Sequence, residues 1–277
     1  MRHTLALPID SERSSLPRLS WRWLVCAFLV FVSYLFLHLP ITDVLDAVAG
    51  RLGFRIYEAA MQAGFAVMGV GALVVVGVRR SPSRRIAGAA GAALVACAVL
   101  IQQSLLVASI ENIHYPQYAL LAVLLDRAGV AAEASWLAAT GLGVIDELYQ
   151  YLFLPRGRPT YLDWNDMVLN ALGAAFGTVA LSLSRRRFRG DRVCGTAVAI
   201  AVAGGAFLVA LLVGFPVLSP FFQITRHGRR YHVLSVAEGV AVIALLWLGV
   251  RYAIGRAERA LLVVPPRSAG GGSGGRA

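Results

Sequence analysis

Long apolar segments alternate with short polar connections along most of the chain, without the every-second-residue pattern typical of strands. A helix needs about 20 apolar residues to cross a hydrocarbon layer of about 30 Å, and unpaired backbone groups exclude open sheets from lipid. The pattern therefore predicts an all-α fold, a polytopic membrane bundle of about eight transmembrane helices. The predicted spans cover residues 21–39, 56–78, 86–107, 111–126, 131–154, 163–183, 193–215 and 232–254.

Polar segments flank the predicted bundle. Residues 1–20 contain three arginines and are expected to form a loose cytoplasmic arm. The bundle itself covers residues 21–264, and the Gly/Ser-rich residues 265–277 are expected to be a flexible tail. A mixed, weakly amphipathic connection at 43–55 is predicted to separate the first span from the second.

Composition agrees with a membrane protein, since 58% of the 277 residues are hydrophobic and only 15% are charged. The formal net charge of +11 would suggest nucleic acid as the partner of a soluble domain. Here, however, the basic residues lie mainly in short loops between spans, so nucleic acid is not an expected partner. Cys26, Cys97 and Cys194 lie in separate apolar runs without metal-ligand spacing, which predicts buried packing residues.

The loop charges also predict an orientation. With both termini in the cytoplasm, eight spans place most of the 26 basic residues on the inner side, as the positive-inside rule requires. A fourth segment that failed to cross would send the basic loop at 184–192 outward, so it is expected to cross. In this topology nearly all acidic residues at span ends lie toward the outer leaflet. The chain is thus predicted to be a multi-pass protein of the bacterial inner membrane with an outward-facing polar pocket.

Polar and ionisable residues concentrate between positions 111 and 177, in segments otherwise rich in Ala, Leu, Val and Gly. Such groups are costly at membrane depth and therefore mark a functional site. The candidates are Glu111, His114, Tyr118, Asp146, Glu147, Gln150, Arg156, Arg158, Asp163, Asp166 and Asn170. Helical spacing places them in polar stripes on three predicted helices, and Gly173 and Gly177 continue the last stripe.

Four of these residues are candidates for acid/base chemistry or for a cation site: Glu111, His114, Asp146 and Glu147. Adjacent acids in a low dielectric have their ionisations pushed apart, which suits proton transfer. The alternative for the two adjacent acids is ion pairing with an arginine of the following loop. For Glu111 and His114 the alternative is a hydrogen-bonded pair that caps a short helix, and this is preferred to a metal site because one histidine is a weak basis for zinc.

The remaining candidates are expected to bind the substrate: Tyr118, Gln150, Arg156, Arg158, Asp163, Asp166 and Asn170. Arg156 and Arg158 are suited to phosphate or diphosphate, which guanidinium groups hold through forked hydrogen bonds. Alternatively, these arginines contact lipid headgroups or the nearby acids. For Asn170 interhelical hydrogen bonding is the preferred interpretation. A second basic loop, with Arg226, His227, Arg229 and Arg230, is a further candidate for phosphate contact.

Residues 100–183 resemble the VanZ-like family of bacterial membrane proteins. The resemblance rests on three features: His114 with Tyr118 at the start of a short span, the acidic pair that runs into Gln150 and a Pro-Arg loop, and the pattern Asp166-x-x-x-Asn170-x-x-Gly173-x-x-x-Gly177. It implies a role in the cell envelope and a link to low-level resistance to glycopeptide antibiotics such as teicoplanin. It implies no particular reaction.

The expected function is recognition of an anionic, lipid-linked envelope component, with a membrane lipid or a lipid-linked precursor as the partner. One alternative is an intramembrane hydrolase or transferase that acts on a lipid phosphate, although no nucleophile elbow is visible. A transporter is a second alternative, without the inverted repeats typical of that class. A structural accessory subunit is a third. The residues predict no particular cofactor.

Overall fold

A computed structural model describes residues 19–77, 82–104, 109–154, 162–184, 203–212, 223–226 and 229–262. The helices in these ranges are α1 (Trp21–Leu52), α2 (Phe54–Gly77), α3 (Pro82–Ser104), α4 (His114–Arg127), α5 (Ala132–Phe153), α6 (Trp164–Ser184), α7 (Ala203–Leu212) and α8 (Val236–Leu262). The predicted all-helical class is confirmed. The terminal arm, the tail and the ends of the seventh predicted span lie largely or wholly outside the described residues.

Helix α1 is longer than predicted and contains 32 residues. The sequence predicts an end at residue 39 and a separate connection at 43–55, but the helix continues through Pro40 to Leu52. It ends at Gly53, whose φ of 82° is a backbone conformation that glycine adopts without strain. The proline removes one intrahelical hydrogen bond, whereas the glycine changes the direction of the chain, and for this reason the helix ends at the glycine.

A short β-hairpin precedes α8, where the sequence predicts only a basic loop. Strands β1 (Gln223–Arg226) and β2 (Arg229–His232) are antiparallel, and Thr225 is paired with Arg230. Helix α8 then begins with a capping box, in which the Ser235 backbone N–H donates to Glu238 at 2.7 Å and the Glu238 N–H donates to the Ser235 hydroxyl at 3.3 Å. Residues 223–226 and 229–232 of the predicted basic loop are therefore paired strands, and the second strand leads into α8.

Helix α6 occupies the middle of the bundle and packs against α3, α4, α5 and α8. Its buried face includes Trp164, Met167 and Leu172, which are fully enclosed. On α5 the indole of Trp136 is also buried and donates a 2.9 Å hydrogen bond to the Ala171 carbonyl of α6. The core therefore lies between the helices that carry most of the candidate site residues.

Contacts between helix ends give the bundle two distinct ends. At one end, called here the basal end, Ser20 N donates to the Ala128 carbonyl at 2.8 Å, and Trp247 Nε1 donates to Glu133 Oε1 at 3.1 Å. At the other end, called the site end, Asn165 Nδ2 donates to the His232 carbonyl at 2.9 Å. Helices α4 and α8 thus start at the site end and run to the basal end, while α1 and α5 start at the basal end.

Two of the described helices are long and apolar enough to cross a membrane: Trp21–Leu52 and Val236–Arg256. Large apolar side chains on both helices are exposed, among them Phe28 and Phe36 on α1 and Leu245 on α8. Such extended apolar surface is typical of contact with lipid. Cys26 on α1 and Cys97 on α3 are also exposed, so the prediction that they are buried is wrong, whereas Cys194 lies outside the described residues.

Candidate functional site

The first pair of site residues joins α4 to α5. The hydroxyl of Tyr118 donates a 2.8 Å hydrogen bond to Asp146 Oδ2, and both residues are buried. Tyr34 of α1 packs against the Tyr118 ring at a centroid distance of 6.0 Å and donates to the Gln117 carbonyl at 3.0 Å. The phenol is therefore held by α1 on one side and by the carboxylate on the other.

The second pair joins α5 to α6. The side-chain amide of Asn170 donates to Glu147 Oε1 and to the Gly143 carbonyl, each at 3.3 Å. Both acceptors lie on α5, so the predicted interhelical hydrogen bonding of Asn170 is confirmed. A Cβ at Gly143 would lie 2.6 Å from the Cβ of Asn170, and this position therefore requires glycine.

The third pair joins α4 to α6. His114 Nε2 lies 3.8 Å from Asp166 Oδ2, and the imidazole stacks nearly parallel to the Tyr118 ring at 6.3 Å. Glu111 precedes α4, in a 3-10 turn at Ser109–Ile113. Its predicted pairing with His114 stays a prediction.

These pairs meet in one cluster. One ligand-type atom from each of His114, Glu147 and Asp166 lies within 4.8 Å of the other two. The predicted meeting of the three polar stripes is therefore confirmed for Tyr118, Asp146, Glu147, His114, Asp166 and Asn170. The arrangement offers an imidazole, two carboxylates and an amide to one small volume.

The cluster contains more acid than base. Within the described ranges, no arginine lies at ion-pair distance from Asp146, Glu147 or Asp166. Taking a carboxylate out of water without a counter-charge costs several kcal/mol. The alternative in which Asp146 and Glu147 pair with Arg156 or Arg158 stays a prediction, because both arginines lie outside the described residues.

Several buried polar atoms of the cluster have no hydrogen-bond partner. They are His114 Nδ1, Asp146 Oδ1, Gln150 Nε2, Asp166 Oδ1 and Asn170 Oδ1. Buried polar atoms are nearly always paired, so a concentration of unpaired atoms in one place indicates a site prepared for a ligand. Gln150 belongs to the site in this sense, one helical turn after Asp146 and Glu147 on α5.

Close helix contact at two glycines brings the cluster together. A Cβ at Gly173 would lie 2.7 Å from the Tyr115 carbonyl oxygen and 2.8 Å from that of His114. A Cβ at Gly177 would overlap the backbone of Ala119, one turn further along α4. The predicted use of these glycines for close helix approach is confirmed.

Asp163 has a structural role. Its Oδ1 accepts hydrogen bonds from the backbone N–H groups of Asn165 and Asp166, at 2.9 and 3.4 Å, as the N-cap of α6. This accounts for the carboxylate by local structure, whereas the sequence predicts a contact with substrate. Arg156 and Arg158 lie outside the described residues.

The sequence prediction missed Asn165. Its amide donates to the His232 carbonyl and accepts from Leu234 N–H at 2.8 Å, which ties the end of the hairpin to the start of α6. The sequence contained one signal for this role: Asn165 is a side-chain amide in the first turn of α6, next to Asp166. Asn112 was also missed; it is buried just before α4, and both polar atoms of its side chain are unpaired.

The chain matches none of the protein-family models, curated proteins or solved structures with which it was compared. The VanZ-like resemblance therefore stays a prediction from three short patterns. The chemistry of the site rests on the geometry of its own residues.

Proposed function

We propose that this chain is an integral protein of the bacterial inner membrane, with about eight spans and both termini in the cytoplasm. Its pocket at the site end recognises an anionic, lipid-linked component of the cell envelope. The observation that carries the proposal is the meeting of His114, Glu147 and Asp166 from three helices in a bundle with exposed apolar flanks. The family implied by the resemblance, VanZ-like, fits this proposal.

Two features support an anionic ligand. The paired strands at 223–226 and 229–232, which contain arginines, are connected to α6 through Asn165, five residues before Asn170 on the same helix. The segment with Arg156 and Arg158 connects the end of α5 to the start of α6. Both of these helix ends lie at the site end. Guanidinium groups bind phosphate through paired hydrogen bonds, and a lipid-linked phosphate would reach such a rim from the outer leaflet.

The helix directions support the outward orientation. The basal end gathers the start of α1, the turn between α4 and α5 and the later part of α8, where Arg251 lies 4.0 Å from Glu133. The positive-inside rule assigns this end to the cytoplasm. The site end then faces the extracytoplasmic side.

Binding of a polyprenyl phosphate and of the uncharged polyprenol of equal length, measured by native mass spectrometry on protein in nanodiscs, tests the proposal. We expect at least about tenfold preference for the phosphate, since each tenfold is about 1.4 kcal/mol and a charged hydrogen bond contributes about 1.5–3 kcal/mol. The double variant Arg156→Gln/Arg158→Gln should lose this preference, while Arg251→Gln at the basal end should keep it. Equal binding of the two lipids by the wild-type protein would refute the proposal.

A hydrolase or transferase that acts on a lipid phosphate is the second candidate. It is favoured by the placement of an imidazole and two carboxylates within reach of one another, which supplies groups able to donate and accept protons. Release of inorganic phosphate from the polyprenyl phosphate by the purified protein, absent in His114→Ala, would identify an enzyme. Binding without release identifies a recognition protein.

A further inference from the structure

The polar cluster has the composition of a cation site. His114 and Asp166 approach to 3.8 Å between Nε2 and Oδ2, and Glu147 completes a triangle with sides of at most 4.8 Å. Two ligand atoms that share a tetrahedral Zn²⁺ at about 2.1 Å lie about 3.4 Å apart. Small side-chain rotations therefore bring all three residues to metal-binding distance.

A fourth oxygen lies beside this triangle. Asn170 is 0% exposed, its Nδ2 donates to Glu147, and its amide lies next to the imidazole of His114. Its Oδ1 is buried and has no hydrogen-bond partner among the described residues. The same is true of Asp166 Oδ1. Amide and carboxylate oxygens are both cation ligands. Neither of these two oxygens accepts a hydrogen bond within the described part of the chain.

We propose that His114, Glu147 and Asp166 bind one divalent transition-metal ion, Zn²⁺ or Mn²⁺, with Asn170 as an additional or supporting ligand. The ion supplies positive charge to the carboxylates of Glu147 and Asp166, which have no arginine at ion-pair distance within the described ranges. Imidazole with carboxylates suits these metals, whereas Mg²⁺ prefers oxygen ligands and retains its water. A contact between this ion and the phosphate of a lipid rests on the proposed function. Binding of the ion to the protein does not.

The site differs from the other histidine–carboxylate pair of the described residues. His232 Nε2 lies 3.2 Å from Glu238, but both side chains are considerably exposed, and the carboxylate already accepts two hydrogen bonds from Ser235. That pair serves the start of α8 and provides a matched control. Removal of its carboxylate should leave metal binding in the cluster unchanged.

Metal binding to protein stripped with a chelator and held in nanodiscs tests the proposal. Isothermal titration with Zn²⁺, Mn²⁺ and Mg²⁺ should give one equivalent of Zn²⁺ or Mn²⁺ per chain and a much weaker response to Mg²⁺. We expect His114→Ala, Glu147→Gln and Asp166→Asn each to weaken the affinity by about tenfold or more. Glu238→Gln should bind as the wild type does.

Thermal unfolding keeps the test independent of folding defects. Added metal should raise the Tm of the wild-type protein and of Glu238→Gln, and should raise the Tm of a folded Asp166→Asn protein by less at the same metal concentration. Wild-type protein without stoichiometric binding, or His114, Glu147 and Asp166 variants that bind metal as well as wild type, would overturn the proposal. Discrimination between the two lipids by protein that takes up no Zn²⁺ or Mn²⁺ in the titration refutes the metal site alone; metal binding without lipid discrimination refutes the proposed function alone.

Discussion

Tyr118 and Asp146 form a buried hydrogen bond between α4 and α5, with 2.8 Å between the hydroxyl and Oδ2. The other carboxylate oxygen of Asp146 has no partner, so this bond is the one direct hydrogen bond that the Asp146 side chain makes among the described residues. This hydrogen bond explains why a tyrosine, Tyr118, lies one helical turn after His114. It also makes the position sensitive to the loss of a single oxygen.

Tyr118→Phe should destabilise the protein by about 1–3 kcal/mol, because the carboxylate is left buried without a donor. Thermal unfolding in detergent measures the loss. Tyr149→Phe is the matched control, since Tyr149 lies on the same helix as Asp146 and its ring packs against the Phe153 ring at 5.6 Å. Equal stability of the two variants would show that the Asp146 contact contributes nothing.

Gly173→Ala should destabilise the bundle by about 1–3 kcal/mol, because the new methyl group meets the carbonyl oxygens of Tyr115 and His114. Backbone atoms cannot rotate away as a side chain can, so α4 and α6 must separate. Gly249→Ala on α8 is the control, with open space around the position. Its stability should be unchanged or slightly higher, and the same unfolding measurement compares the two. A neutral Gly173→Ala would contradict the close approach.

Asn165→Leu should release the hairpin from α6, since the His232 carbonyl and the Leu234 N–H lose their partners. Faster hydrogen exchange in residues 229–234 is expected, together with a loss of about 1–3 kcal/mol in stability. Asn165→Asp keeps an acceptor for Leu234 and should show the smaller effect. Identical exchange in both variants and in the wild type would show that Asn165 does not hold the hairpin.

The two ends of α5 provide a test of orientation. In a background without cysteine, Leu154→Cys should react with a membrane-impermeant maleimide in intact spheroplasts, because it lies at the site end. Ala131→Cys, at the basal end, should react only after permeabilisation. Both positions are partly exposed and border the same helix. Labelling in the opposite order would reverse the proposed topology.

Helical periodicity accounts for the part of the site that could be predicted from sequence. Spacing of three and four residues places Asp166 and Asn170 on one face, and the same rule places Tyr118 below His114. Spacing does not specify the partner, however. His114 lies 3.8 Å from Asp166, a residue of α6 more than 50 positions later in the chain, and no local spacing predicts that contact.

Predictions failed where tertiary contacts or local capping override composition. The sequence predicts a substrate contact for Asp163 and does not show its capping role, in which the carboxylate accepts from N–H groups at the start of α6. The connection after residue 39 looks polar enough to interrupt α1, but the helix continues to Gly53. The role of Asn165 could not be predicted, because its partners are backbone groups almost 70 positions later in the chain. No local sequence pattern shows such a contact.

The glycine contacts of α6 have a consequence for how the site responds to movement. Asp166 and Asn170 lie on the same helix and face partners on two others, and a slide of α6 by one residue would shift both by about 1.5 Å. Both pairings would then be lost in the same displacement. A displacement of α6 along its axis, wherever along the helix it is caused, would therefore disrupt the whole cluster in one step.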